Sequence, residues 1–171
     1  MENENKNGFI FKNGLPPCLI YVDEEGDWYH KGDRIFRKDI LQIFYENLSR
    51  TPDGLYIINW HNEKCYLDVV DTPFVIQQID METTQDHAPC FYLTLKNIDR
   101  TERLDPTTLW VGERNILYCL VDNKTYPARF LRKAYYQFTN YIQQDVENSE
   151  FFVELDENRY YIGDKPPQSR Q

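Results

Sequence analysis

Glycine is scarce in this chain, 7 of 171 residues, and the scarcity removes whole classes of chemistry. Phosphate cradles and dinucleotide-binding turns need clustered glycines, because the backbone must approach the phosphate closely. No such cluster occurs, and neither a P-loop nor a Gly-x-Ser-x-Gly nucleophile elbow is present. Histidine is scarcer still. His30, His61 and His87 share no helical spacing and lie at no ligand spacing from a cysteine, so no metal motif is legible. Long apolar runs are missing: nothing approaches the about 20 residues that span a bilayer. The polar start, Met1-Glu2-Asn3-Glu4-Asn5-Lys6, carries no apolar signal region. Basic charge is in deficit, 19 Lys and Arg against 28 Asp and Glu, for a net charge of −9. Such a field repels phosphate backbones and anionic lipid, so neither a nucleic-acid nor a membrane partner is expected. A small anion remains open, because local geometry overrides a diffuse field at short range. The four cysteines, Cys18, Cys65, Cys90 and Cys119, sit in apolar contexts without pairing motifs. They read as reduced core residues of a cytoplasmic protein.

Aromatic and apolar residues are plentiful, with 13 Tyr, 10 Phe and 41% apolar overall. That composition supplies a packed core and argues against disorder. Short strands read at 18–22, 28–30, 74–79, 90–95 and 116–121, where apolar runs end in turn residues. Ile40, Ile43, Phe44 and Leu48 recur with the period of one helical face, so a helix is expected over about residues 37–48. Leu131, Tyr135, Phe138 and Ile142 predict a second over about residues 131–144. Thr51-Pro52-Asp53-Gly54 stops the first, since proline cannot continue the ladder.

The two helical stretches belong to a possible repeat. Arg34 to Leu67 lies over Arg129 to Ile162 without a gap, at the constant offset 129 − 34 = 95. Only five of the 34 aligned pairs are identical, so identity alone does not decide the matter. The stronger argument is that one offset aligns a helix start, a turn and both strands of a hairpin. The expected fold is therefore α+β: two tandem related units, each of mostly antiparallel strands with one main helix. The expected layout is a flexible segment over 1–14, a first repeat unit over 15–70, a second with extra strands over 71–163, and a flexible tail over 164–171.

The sharpest local signal is the pair Arg37-Lys38 and its aligned counterpart Arg132-Lys133. Both fall at an expected helix start, where free backbone N–H groups already disfavour cations. Two cations placed there twice point to an anion site on Arg37, Lys38, Arg132 and Lys133; the competing reading pairs each Arg with a nearby carboxylate. Asp71-Thr72-Pro73-Phe74 reads as a bend that sends Phe74 into the core. Tyr135, Tyr136, Tyr141, Tyr160 and Tyr161 cannot all be buried on one stripe and offer a recognition face.

The stretch Asp27-Trp28-Tyr29-His30-Lys31-Gly32-Asp33-Arg34-Ile35-Phe36-Arg37 resembles the start of bacterial proteins of the domain-of-unknown-function family 1285. Gly54-Leu55-Tyr56, Val70-Asp71-Thr72-Pro73-Phe74, Leu117-Tyr118-Cys119-Leu120-Val121 and Ala128-Arg129-Phe130-Leu131-Arg132 continue the resemblance over about residues 15–163. It departs at Trp60-His61-Asn62-Glu63, where a Thr-Pro-like turn is expected before the acidic residue. The resemblance implies a duplicated fold with a pleckstrin-homology-like second half, a nucleotide-like ligand and a role in signalling. It carries over no catalytic residue and no cofactor. No catalytic constellation is legible, so the reading leans away from an enzyme. The expectation is a small-molecule binding or sensing module; the alternative is a protein-interaction scaffold.

Overall fold

The computed structural model describes residues 9–85 and 88–167, together with the backbone of a short strand at 3–4. His87 and the end of the tail therefore lie outside the described residues. The chain divides into two compact units, Met1–Pro73 and Phe74–Gln171.

In the first unit the strands are β1 (Asn3–Glu4), β2 (Ile10–Phe11), β3 (Pro17–Val22), β4 (Trp28–His30) and β5 (Asp33–Arg34). Helix α1 (Lys38–Glu46) follows, then β6 (Leu48–Arg50), β7 (Tyr56–Trp60) and β8 (Glu63–Val69). β1 and β2 pair with each other, and the rest form one sheet in the order β5-β4-β3-β8-β7-β6. Every neighbouring pair is antiparallel except β3 and β8, which run parallel at the centre. Val22, Trp28, Ile58 and Leu67 are buried in this sheet, and Leu41 and Tyr45 are the buried residues of α1.

In the second unit the elements are β9 (Phe74–Thr83), β10 (Pro89–Leu95), β11 (Thr101–Arg103), β12 (Trp110–Val111), β13 (Leu117–Val121) and β14 (Tyr126–Phe130). Helix α2 (Arg132–Thr139) and strands β15 (Ile142–Gln144), β16 (Phe151–Leu155) and β17 (Asn158–Tyr161) complete it. β9 to β14 form a six-stranded sheet, β11-β10-β9-β14-β13-β12, and β15-β16-β17 form a three-stranded meander. A parallel bridge ties Trp110 of the six-stranded sheet to Gly163, just past the end of β17, with Val111 N–H donating to the Gly163 carbonyl at 2.8 Å.

That bridge exposes the duplication. Three strands, a helix and three strands occur twice: β3-β4-β5-α1-β6-β7-β8 and β12-β13-β14-α2-β15-β16-β17. In the first copy the first and last strands pair in parallel; in the second, Trp110 of β12 makes a single parallel bridge to Gly163, just past the end of β17, and in both the other strands extend outward as antiparallel pairs. β9 to β11 are an addition to the second copy, joined through the parallel pair β9–β14. The repeated unit is thus longer than the helix, turn and following hairpin that the offset aligns in the sequence.

The offset of 95 holds through the second hairpin. Trp60 pairs with Glu63 where Leu155 pairs with Asn158, and both hairpins turn on two residues with positive φ: His61 and Asn62, Asp156 and Glu157. Two such residues match the right-handed twist of the strands they join. Upstream, the offset slips. Leu48 pairs with Ile58, but Ile142 rather than Gln143 pairs with Val153. The second copy carries one more residue after its helix and one more in the next turn.

The second helix is shorter than expected, ending at Thr139. Ile142, read as its last buried position, instead begins β15, where its β-branched side chain suits a pleated strand. In the first unit Leu48 likewise belongs to a strand.

The cysteines divide into two kinds, which corrects the reading of all four as reduced. Cys18 and Cys65 form a disulfide; Cys90 and Cys119 are buried and free. The partners are 47 residues apart in sequence and are brought together by the parallel alignment of β3 with β8. Burial pushes the Cys119 thiol well up, and the Glu102 charge adds to the shift. Thiol titration is expected to find none in the native protein, two in denaturant and all four after reduction. Four thiols in denaturant without reductant would contradict the pairing.

Candidate binding site

Helix α1 does not close over the whole sheet. Leu41 and Tyr45 seal one part: the Trp28 indole N–H donates to the Tyr45 hydroxyl at 3.0 Å, and that hydroxyl donates to the Pro73 carbonyl at 2.7 Å. Trp28 also stacks against Phe44, with ring centroids 5.9 Å apart. On the other side of the helix a groove of about 1010 Å³ remains open. Ile40, Ile43 and Phe44 form its helical wall, all only half-buried. Ile20, Ile58 and the Cys18–Cys65 disulfide lie on the sheet side. The stripe expected to be core is therefore partly a groove wall.

Strand pairing shows which side chains face this space. Directly opposed residues of an antiparallel pair point to the same side, and alternate residues of a strand share a face. Ile58 opposes Cys65 and Trp60 opposes Glu63, so these four share one face at the end of the β7–β8 hairpin. Lys64 lies between Glu63 and Cys65, opposes Asn59 in the register, and also lines the groove. Ile20 opposes His30, which brings that imidazole to the same side as Ile20 on β4. Trp60 is 44% exposed, with His61 edge-on to its ring at 4.8 Å. Glu63 makes no ion pair or hydrogen bond through its side chain among the described residues.

The residues singled out in the sequence lie elsewhere. Arg37 is the N-cap of α1 and is exposed; its Nε donates to Asp39 at 3.1 Å, which raises the guanidinium and lowers the carboxyl. Lys38 is the first residue of α1 and is also exposed. In the second unit Arg132 is the first residue of α2, after the N-cap Leu131, and its guanidinium lies 5.7 Å from the Tyr136 ring centre. Lys133 Nζ approaches Gln78 Oε1 at 3.4 Å. Arg37 and Arg132, aligned by sequence, thus occupy different places, N-cap and first turn. None of the four lines the groove.

Among the expected recognition tyrosines, Tyr136, Tyr141 and Tyr161 are exposed, while Tyr135 and Tyr160 are half-buried. Tyr161 donates to Asp145 at 2.8 Å, holding that carboxyl below its usual range; Tyr141 packs edge-on against Phe91. Among the described residues no cluster of three or more His, Cys, Asp or Glu could hold a metal ion, and no helix is long and apolar enough to cross a membrane.

No family model matches the chain, and no curated protein matches it. Solved structures do. A DUF1285 family protein from Silicibacter pomeroyi DSS-3 superposes with a TM-score of 0.69 at 16% identity, over 86% of this chain and 81% of that one. A DUF1285 family protein from Shewanella baltica OS155 gives a TM-score of 0.58 at 21% identity, over 72% of this chain and 91% of that one. The fold is that of the DUF1285 proteins. The duplicated α+β architecture expected from the resemblance is present, with two six-stranded, mostly antiparallel sheets and two helices.

Proposed function

We propose that this protein is a non-enzymatic small-molecule binding module whose site is the groove beside α1. The observation that carries the reading is an open space of about 1010 Å³ whose facing side chains are mostly apolar. That is the size and lining of a small-ligand site, in which a few polar groups set orientation. The nucleotide-like ligand implied by the family resemblance has less support as its occupant. The groove walls offer isoleucine, phenylalanine and tryptophan, and Arg37, Lys38, Arg132 and Lys133 lie outside it. A rise in Tm with a nucleotide, abolished by Arg37→Ala and by Arg132→Ala, is the result that would favour the anion reading instead. A scaffold reading draws on the exposed tyrosines of the second unit, but Tyr136, Tyr141 and Tyr161 each already contact Arg132, Phe91 or Asp145. The cytoplasmic location expected from reduced cysteines loses that support, since disulfides persist in oxidising compartments.

1-Octanol, followed by tryptophan fluorescence, tests the groove. Saturable binding is expected, and Ile43→Trp, which fills the helical wall, is expected to weaken it by about tenfold or more. Non-saturable behaviour, or equal binding by the filled variant, would contradict the reading.

A further inference from the structure

Taking the groove as the binding site, we propose that its ligand is an amphipathic cation, a hydrophobic amine whose ammonium group meets Glu63 and Trp60 while its apolar body lies along α1. The groove is lined by a carboxylate, Glu63, without a partner among the described residues. Glu63 opposes Trp60 in the last pair of the β7–β8 hairpin and shares its face, and no Lys or Arg among the described residues pairs with it. The nearest cation in sequence, Lys64, also lines the groove, but in the strand register it opposes Asn59 and not Trp60. His30, a further polar residue of the lining, sits on β4 opposite Ile20.

Trp60 supplies the second element. Its indole is 44% exposed at the position directly across from the carboxylate. An ammonium between an indole face and a carboxylate gains both a cation–π and an ionic contact, and partial shielding from water strengthens each. A carboxylate head group in the same place meets repulsion from Glu63. The chain's net charge of −9 acts in the same direction, raising the local concentration of cations and lowering that of anions. Beyond the head group, Ile58, the Cys18–Cys65 disulfide, Ile40, Ile43 and Phe44 continue as apolar surface, which suits an alkyl or aryl body and not a compact hydrophilic amine.

The test uses the full chain and three probes of equal length, octylammonium, 1-octanol and octanoate, below their aggregation concentrations, by isothermal titration. Octylammonium is expected to bind about tenfold or more tighter than octanoate. Glu63→Gln, at an exposed position that leaves the core untouched, is expected to bring that ratio to within about twofold of one. Equal binding of octylammonium and octanoate by the wild type, or an unchanged ratio in Glu63→Gln, would overturn the cation proposal while 1-octanol binding still upholds the groove. Failure of all three probes to bind would overturn the groove reading and the cation proposal together.

Discussion

Replacing Trp28 with alanine is expected to destabilise the first unit by about 3–5 kcal/mol, a large share of what a domain of this size has. Trp28 is almost wholly buried and is the largest side chain in the core of the first unit. Its ring stacks on Phe44 and packs against Tyr45 at 5.0 Å, so truncation removes apolar contact on two successive helical positions at once. It also removes the donor of a buried relay that runs from the indole through the Tyr45 hydroxyl to the Pro73 carbonyl. Tyr45→Phe isolates the polar part: it strands a buried indole N–H and a buried carbonyl, and about 1–3 kcal/mol is expected. Urea unfolding followed by circular dichroism measures both. A loss under about 1 kcal/mol for Trp28→Ala would mean that α1 is not held against the sheet as described. The link to function is Phe44, which supports Trp28 with one face and lines the groove.

The second large effect concerns the disulfide. Cys18→Ala/Cys65→Ala is expected to cost about 4 kcal/mol in the chain-entropy account, because the bond closes a long loop in the unfolded chain. The loop holds β4, β5, α1, β6 and β7, which is most of the first unit. Reductant alone is expected to lower the Tm of the wild type and to leave that of the double variant unchanged. Cys90→Ala/Cys119→Ala serves as the contrast, since those thiols are buried and unpaired and its response to reductant stays that of the wild type. A wild-type Tm indifferent to reductant would contradict the bond's contribution.

How much of this was legible in the sequence depends on whether the deciding interaction is local. Both helices, the Thr51–Gly54 turn, where Gly54 takes φ +94, and the two hairpin strands after each helix were legible, because periodicity and turn chemistry are local. The duplication was legible for the same reason, since the hairpin turns at His61-Asn62 and Asp156-Glu157 preserve the offset. Three features were not. Ile40, Ile43 and Phe44 carry the period of a buried face, but periodicity reports an apolar side and not whether a sheet or an open groove lies against it. The Cys18–Cys65 bond follows from β3 running parallel beside β8, a pairing between segments 47 residues apart. The Arg37 and Arg132 alignment misled because the copies differ by inserted residues around the helix, so matching letters fell on unlike positions. Glu63 is legible in the sequence only as a departure from a family pattern, because its place opposite Trp60 depends on the register of the hairpin.

Isoleucine methyl NMR during titration with 1-octanol tests the groove beside α1 most directly. Saturable shifts are expected at Ile20, Ile35, Ile40, Ile43 and Ile58, which line the groove, with Ile76, Ile79 and Ile98 of the second unit unmoved. Shifts confined to the second unit, or absent from Ile40, Ile43 and Ile58, would contradict it.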